Sequence, residues 1–129
     1  MSRRLVCIED DPEVIELMRL IVTRFGFEFY DASSGLQGTE LVEDVMPDLV
    51  LLDLMMPGSV DGWDVFDHLK SHDETKDIAI IVVTARAYFD ERVAEMRSAN
   101  GGNLVTKPFG PAQLMDAINR ALNVSSDEI

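Results

Sequence analysis

The chain has one cysteine, Cys7, among 129 residues, so no disulfide can close within it. Inside a strand-like apolar run, a lone thiol reads as a small buried apolar residue. Long hydrophobic runs are missing as well. None approaches the roughly 18 residues that span a bilayer, and the opening MSRRLVCIEDD has no apolar segment ahead of its acids. A soluble, cytoplasmic protein with no membrane partner is expected. Positive charge is scarce: 11 lysines and arginines face 24 aspartates and glutamates, a net charge of -13. That balance repels a phosphate backbone and attracts cations and basic protein surfaces, so direct nucleic-acid contact by this chain is not expected. The two histidines, His68 and His72, flank a helix end in a charged run and read as surface residues. No repeat, low-complexity tract or linker divides the chain. One domain over residues 1–124 is expected, followed by a frayed polar tail, 125–129.

Short β-rich apolar runs lie at Leu5–Ile8, Phe27–Tyr30, Leu49–Leu52, Ile78–Val83 and Leu104–Thr106. Three are continuous rather than alternating, the pattern of strands covered on both faces, as in a parallel sheet. Helical patterns separate them. Val14, Ile15, Met18, Ile21, Val22 and Phe25 recur at spacings of three and four behind the cap-like Asp11-Pro12, and Gly26 is placed to end that helix. Ser34 is suited to cap a second helix through about Asp44, carrying Leu36, Leu41, Val42 and Val45, though Gly35 and Gly38 lower its propensity. A third runs from near Gly62 to Lys70 with Trp63, Phe66 and Leu69 on one side, where Trp63 reads as packing. A fourth spans about Phe89 to Ser98 with Val93, Ala94 and Met96. The last opens at Gly110-Pro111 and continues through Leu114, Ile118 and Leu122. Strands alternating with helices predict an α/β fold with right-handed crossovers and helices on both faces.

In such a sheet the residues closing each strand gather along one edge, where ligands bind. Strand one closes with Glu9 and Asp10, strand three with Asp53, strand four with Thr84, and strand five with Thr106 and Lys107 before Pro108. With the flavodoxin-like order 2-1-3-4-5, strands one and three are neighbours and their acids converge. Two carboxylates about 4 Å apart repel by about 4 kcal/mol at an effective dielectric near 20, so converging acids call for a cation. Mg²⁺, which takes oxygen ligands and leaves room for water and phosphate, fits that need. Lys107 adds a fixed positive charge and Thr84 a hydroxyl. Together these groups can stabilise a transferring phosphoryl group with a carboxylate as nucleophile. Each part alone has a plainer explanation: a helix cap for EDDP, a loop residue at Asp53, a turn at Thr84, a solvated Lys107. Acid, acid, hydroxyl and amine ending four different strands is the coincidence that favours a site.

The segments IEDDPEV, PDLVLLDLMMPG, IIVVTA and VTKPF together resemble the receiver domain of two-component response regulators, from Leu5 to about Asn123. The resemblance implies a doubly wound five-stranded parallel sheet with five helices. It makes Asp53 the phospho-acceptor, with Glu9, Asp10, Asp53 and the backbone carbonyl of Met55 around Mg²⁺. Thr84 and Lys107 would bind the phosphoryl group, Ala85 would leave room for the donor, and Lys107-Pro108 would be a cis peptide. Asp11 is left as the helix cap. The implied partners are a histidine kinase or histidine phosphotransfer protein, and a downstream protein met by the strand four, helix four and strand five face. A monomer or a weak phosphorylation-dependent dimer is implied, with intrinsic self-phosphorylation and slow autodephosphorylation. Leu104 departs from the family's common aromatic three residues before the lysine. The loop MPGSVDGW is one residue longer than in many relatives. Met55 and Arg86 are positions expected to tune hydrolysis by controlling water access.

Two other chemistries share parts of this pattern. A Mg²⁺-dependent aspartyl phosphatase would carry a second acid two residues after its nucleophile, where this chain has Met55. A flavin carrier would need a phosphate-binding loop after strand one, where EDDPEV would repel phosphate. A receiver-shaped binding module that works unphosphorylated is the remaining alternative, kept open by Leu104. A stand-alone receiver and a part of a longer regulator are equally compatible with these residues.

Overall fold

A computed structural model of the chain describes residues 3–56, 60–85, 91–98 and 103–122. Five strands alternate with five helices: β1 (Arg3–Ile8), α1 (Pro12–Thr23), β2 (Phe27–Ala32), α2 (Gly35–Val45), β3 (Leu49–Asp53), α3 (Gly62–Ser71), β4 (Ala79–Thr84), α4 (Glu91–Ser98), β5 (Leu104–Thr106) and α5 (Pro111–Ala121). The strands form one parallel sheet in the order β2-β1-β3-β4-β5, the flavodoxin-like order expected.

Period two along the strands sorts the core into two layers. Leu5, Cys7, Leu49, Leu51, Ile81, Val83 and Val105 pack with residues of α1 and α5. Val6, Ile8, Val50, Leu52 and Ile80 pack with residues of α2 and α3. Apolar residues are needed at odd and even positions alike, which is why β1, β3 and β4 read as continuous runs. Cys7 is buried with its Sγ 3.2 Å from Met18 Sδ. Burial pushes its thiol up, and the nearby Glu9, Asp31 and Asp53 carboxylates add to this, so it stays protonated and inert.

Helices α1, α2 and α3 start where side-chain caps place them. Asp11 accepts from the Glu13 amide at 2.9 Å with Pro12 in the first turn, Ser34 accepts from the Gln37 amide, and Asp61 and Asp64 form a reciprocal capping box. Gly26, at φ +88°, makes the turn into β2 that a side chain would strain.

Four expectations change. Helix α1 ends at Thr23, so Phe25 lies beyond the helical period and is exposed. Leu36 lies off the buried face of α2, which is formed by Gly35, Gly38, Thr39 and Val42. The two glycines that weaken α2 as a helix allow its packing: a Cβ on Gly38 would come 2.6 Å from Ile8 Cδ1. In α4, Ala94 is exposed and Val93 alone is buried among the side chains described. Leu122 lies just past α5, half-buried, while Leu114, Met115, Ala117 and Ile118 fill the core. Phe89 and Asp90, expected to begin α4, and the tail 125–129 lie outside the described residues. Among the described residues no helix is long and apolar enough to cross a membrane.

Candidate functional site

Register brings the strand ends level. Ile8 pairs with Leu52, Asp53 with Val83, and Thr84 with Thr106, so the carboxyl ends of β1, β3, β4 and β5 lie level along one edge of the sheet. Glu9, Asp53 and Lys107 also share the odd parity of Cys7, Leu51 and Val105, and their side chains meet. Lys107 Nζ lies 2.8 Å from Glu9 Oε1 and 3.5 Å from Asp53 Oδ2. The Lys107 amide donates to the Thr84 carbonyl at 2.9 Å, tying β5 to the end of β4. The Lys107-Pro108 peptide is cis.

Burial divides the acids. Glu9 and Asp53 are only 1% and 4% exposed, whereas Asp10 is exposed. Glu9 is held from several sides: its amide donates to the Ala32 carbonyl, and its Oε2 accepts from the Asp11 amide at 3.2 Å. Its Oε1 is buried in ion contact with Lys107 at 2.8 Å, and a carboxylate oxygen engaged by one cation keeps a further lone pair for another. Burial raises the Glu9 pKa to about 7, with the Lys107 contact opposing and the Asp53 carboxylate reinforcing that rise. For Lys107, burial alone would lower the pKa, but the Glu9 and Asp53 carboxylates outweigh it and raise it. Asp53 Oδ1 accepts from the Met55 amide at 3.1 Å, which leaves Oδ2 toward Lys107.

Oxygen atoms of Glu9, Asp10 and Asp53 lie within 4.8 Å of one another. Among the described residues, three carboxylates face one ammonium, which leaves net negative charge on those groups. An all-oxygen donor set, one wall open to water through Asp10, and an under-used buried Glu9 oxygen suit a hard divalent cation. Thr84 is fully buried, while Ala85 beyond it and Met55 are exposed. Leu104 is half-buried against Leu54, Val82 and Val93. Arg86 and, in the longer loop, Pro57, Gly58 and Ser59 lie outside the described residues. Gly62 opens α3 directly on the acceptor strand: a Cβ there would lie 2.5 Å from the Asp53 carbonyl oxygen.

His68 and His72 stack on each other at 4.2 Å at the far end of α3, apart from this crevice. Trp63 packs edge to face on Phe66. What sequence reasoning missed is Arg92, which meets both rings and pairs with Asp67. Twenty-five positions separate Asp67 from Arg92, and no local pattern links them.

Fold and crevice together define a doubly wound α/β domain with an acidic site at its switch point. The chain belongs to the response regulator receiver domain family, whose model matches residues 5–119, and it is thus a receiver domain of two-component signalling. It is 30% identical over 122 residues to the phosphate regulon transcriptional regulatory protein PhoB of Escherichia coli, covering 95% of this chain and 52% of that protein. It is 31% identical over 128 residues to the DNA-binding response regulator MtrA of Mycolicibacterium smegmatis, covering 99% and 54%. A response regulator structure from Chloroflexus aurantiacus superposes with TM-score 0.84 at 27% identity, covering 95% of this chain and 99% of that one. The receiver domain of a Pseudomonas aeruginosa sensor histidine kinase, solved with magnesium in its cleft, shares the fold at TM-score 0.82 and 22% identity, covering 95% and 99%. The chain spans about half the length of the curated relatives it matches. One of those relatives is DNA-binding by name, so the expectation from charge of no nucleic-acid contact does not carry to a full-length protein.

Proposed function

We propose that Asp53 accepts a phosphoryl group from a phosphohistidine of a kinase or phosphotransfer protein, and that the domain acts in the cytoplasm as a phosphorylation switch. The observation that carries this reading is the placement of Asp53: nearly buried, 3.5 Å from Lys107, within a carboxylate cluster at the carboxyl edge of the sheet. Glu9, Asp10 and Asp53, with the Met55 carbonyl, would hold Mg²⁺, which when bound offsets charge between the acceptor and the incoming phosphoryl oxygens.

The chain's own groups do the rest. An Asp53 oxygen attacks phosphorus as the phosphorus–nitrogen bond breaks, and the imidazole leaves with that electron pair. Lys107 then pairs with the phosphoryl group, and the Thr84 hydroxyl donates to one of its oxygens. Ala85 leaves the approach open. In the return step, water attacks phosphorus and the Asp53 carboxylate leaves, releasing phosphate. Met55 and Arg86 set how easily that water enters. The same positioning supports self-phosphorylation from small donors and slow autodephosphorylation. Recruitment of Thr84 biases β4, α4 and β5, the face offered to a downstream protein.

The test is incubation with Mg²⁺ and acetyl phosphate, followed by mass measurement. Wild type is expected to gain one phosphoryl group, and Asp53→Asn or chelator-treated protein none. An equal gain in Asp53→Asn would overturn the assignment, and no gain in wild type would favour the unphosphorylated binding module.

A further inference from the structure

Helix α4 is anchored in a different way from its neighbours. Val93 joins Leu54 and Val82 in a small buried cluster, flanked by Trp63, Phe66, Met96 and Leu104. Leu54 directly follows Asp53, and Val82 precedes Thr84 by two, so this cluster rests against both strand ends that build the crevice. Beside Val93, Arg92 crosses to α3. Its Nη1 and Nη2 donate to the two oxygens of Asp67 at 3.1 and 2.7 Å, and its guanidinium lies 4.0 Å from the centre of the Trp63 ring and 5.9 Å from that of Phe66. Trp63 and Phe66 are themselves locked edge to face at 5.4 Å. A two-pronged guanidinium–carboxylate pair fixes orientation as well as distance, and the ring contact adds to it.

We propose that Arg92 is a positioning residue for the Asp53 reaction: its clasp on Asp67 and Trp63 fixes α4 over Leu54 and Val82 and restrains the rearrangement that accompanies phosphorylation. This rests on the reading of Asp53 as acceptor. A phosphoryl group that draws on Thr84 disturbs the end of β4 and the side chains packed on Val82, so α4 shifts against α3 and the clasp loosens. By linkage, a contact that phosphorylation weakens is one that opposes phosphorylation. Removing it should enlarge the share of chains already in the arrangement that the phosphorylated site favours, and the rate at Asp53 should rise with that share.

The experiment follows phosphoryl gain by mass in Mg²⁺ and acetyl phosphate, with Trp63, the chain's single tryptophan, reporting the clasp by fluorescence. Arg92→Gln and Asp67→Asn should each raise the rate about fivefold, the change that about 1 kcal/mol of bias produces. The double variant should rise no further than either single one, with Trp63 emission shifted in all three. Arg92→Lys, which keeps charge but loses the fork, should fall between. Arg19→Gln is the control: Arg19 also pairs with an acid, Asp31 at 2.9 Å, and covers a ring, Phe29 at 4.7 Å, but beside the edge strand β2. Its loss should leave the rate unchanged. Unchanged rates in Arg92→Gln and Asp67→Asn despite shifted emission would overturn the proposal, as would an equal rise in Arg19→Gln. Wild type that gains no phosphate, or Asp53→Asn that gains it equally, would overturn the acceptor reading and the proposal with it.

Discussion

Helices α1 and α4 cover the same sheet by opposite means. Helix α1 has 12 residues, a side-chain cap, and Met18, Ile21 and Val22 buried beneath it. Helix α4 has 8 residues, a single buried side chain among those described, and a guanidinium clasp to α3. Apolar burial is strong and has no preferred direction, so α1 is held wherever the core holds it. A half-exposed ion pair is weak and directional, and exchanges readily with water. The difference separates a helix held by the core from one held by a single buried side chain and an ion pair, which costs less to reposition.

The comparison breaks most visibly in the core. Met18→Ala should cost about 2–5 kcal/mol of unfolding free energy, and Val93→Ala roughly 2 kcal/mol or less, from two carbon groups at about 0.8 kcal/mol each. Urea unfolding measures both, and equal losses would remove the distinction between the helices.

The entrance to α1 is tied to the crevice through the Glu9 carboxylate, which accepts from the Asp11 amide. Glu9 is held at about 7 in the folded chain against 4.5 for the free group. A raised carboxyl pKa means the folded state binds the proton more tightly. This contribution to stability is therefore fully present below about pH 4.5 and is lost as pH rises toward 7. In the magnesium-free protein, Glu9→Gln should gain on wild type by roughly 2 kcal/mol between pH 4.5 and 7.5. A constant difference between the two would place the Glu9 ionisation outside that window.

A smaller effect is expected at the cap. Asp11→Ala should cost about 1 kcal/mol by leaving the first-turn amide of Glu13 unpaired, without abolishing phosphoryl gain, which would separate capping from cation binding among the three consecutive acids. The smallest is at the clasp. Arg92→Gln should lower global stability by less than about 1 kcal/mol while raising the phosphorylation rate, so that stability and reactivity part company at α4 alone.

Much of this was legible from residue order. Strand positions follow from apolar runs, the start of α1 from Asp11-Pro12, and the meeting of Glu9, Asp10, Asp53 and Lys107 from a parallel sheet delivering every strand end to one edge. Leu36 and Ala94 were misread because helical period locates an apolar face only when the helix is packed along its whole length. Gly35 and Gly38 looked like weaknesses because propensity is local, whereas their use is close approach to Val60 and Ile8.

The sequence by itself determined the alternation of elements and which side chains gather at the carboxyl edge, since both are encoded in short-range pattern and in which residue ends each strand. Only the tertiary structure decided that Lys107 stands closer to Glu9 than to Asp53, and that Arg92 reaches Asp67 and Trp63. Such contacts depend on distances between elements, which are fixed by packing and not by spacing along the chain.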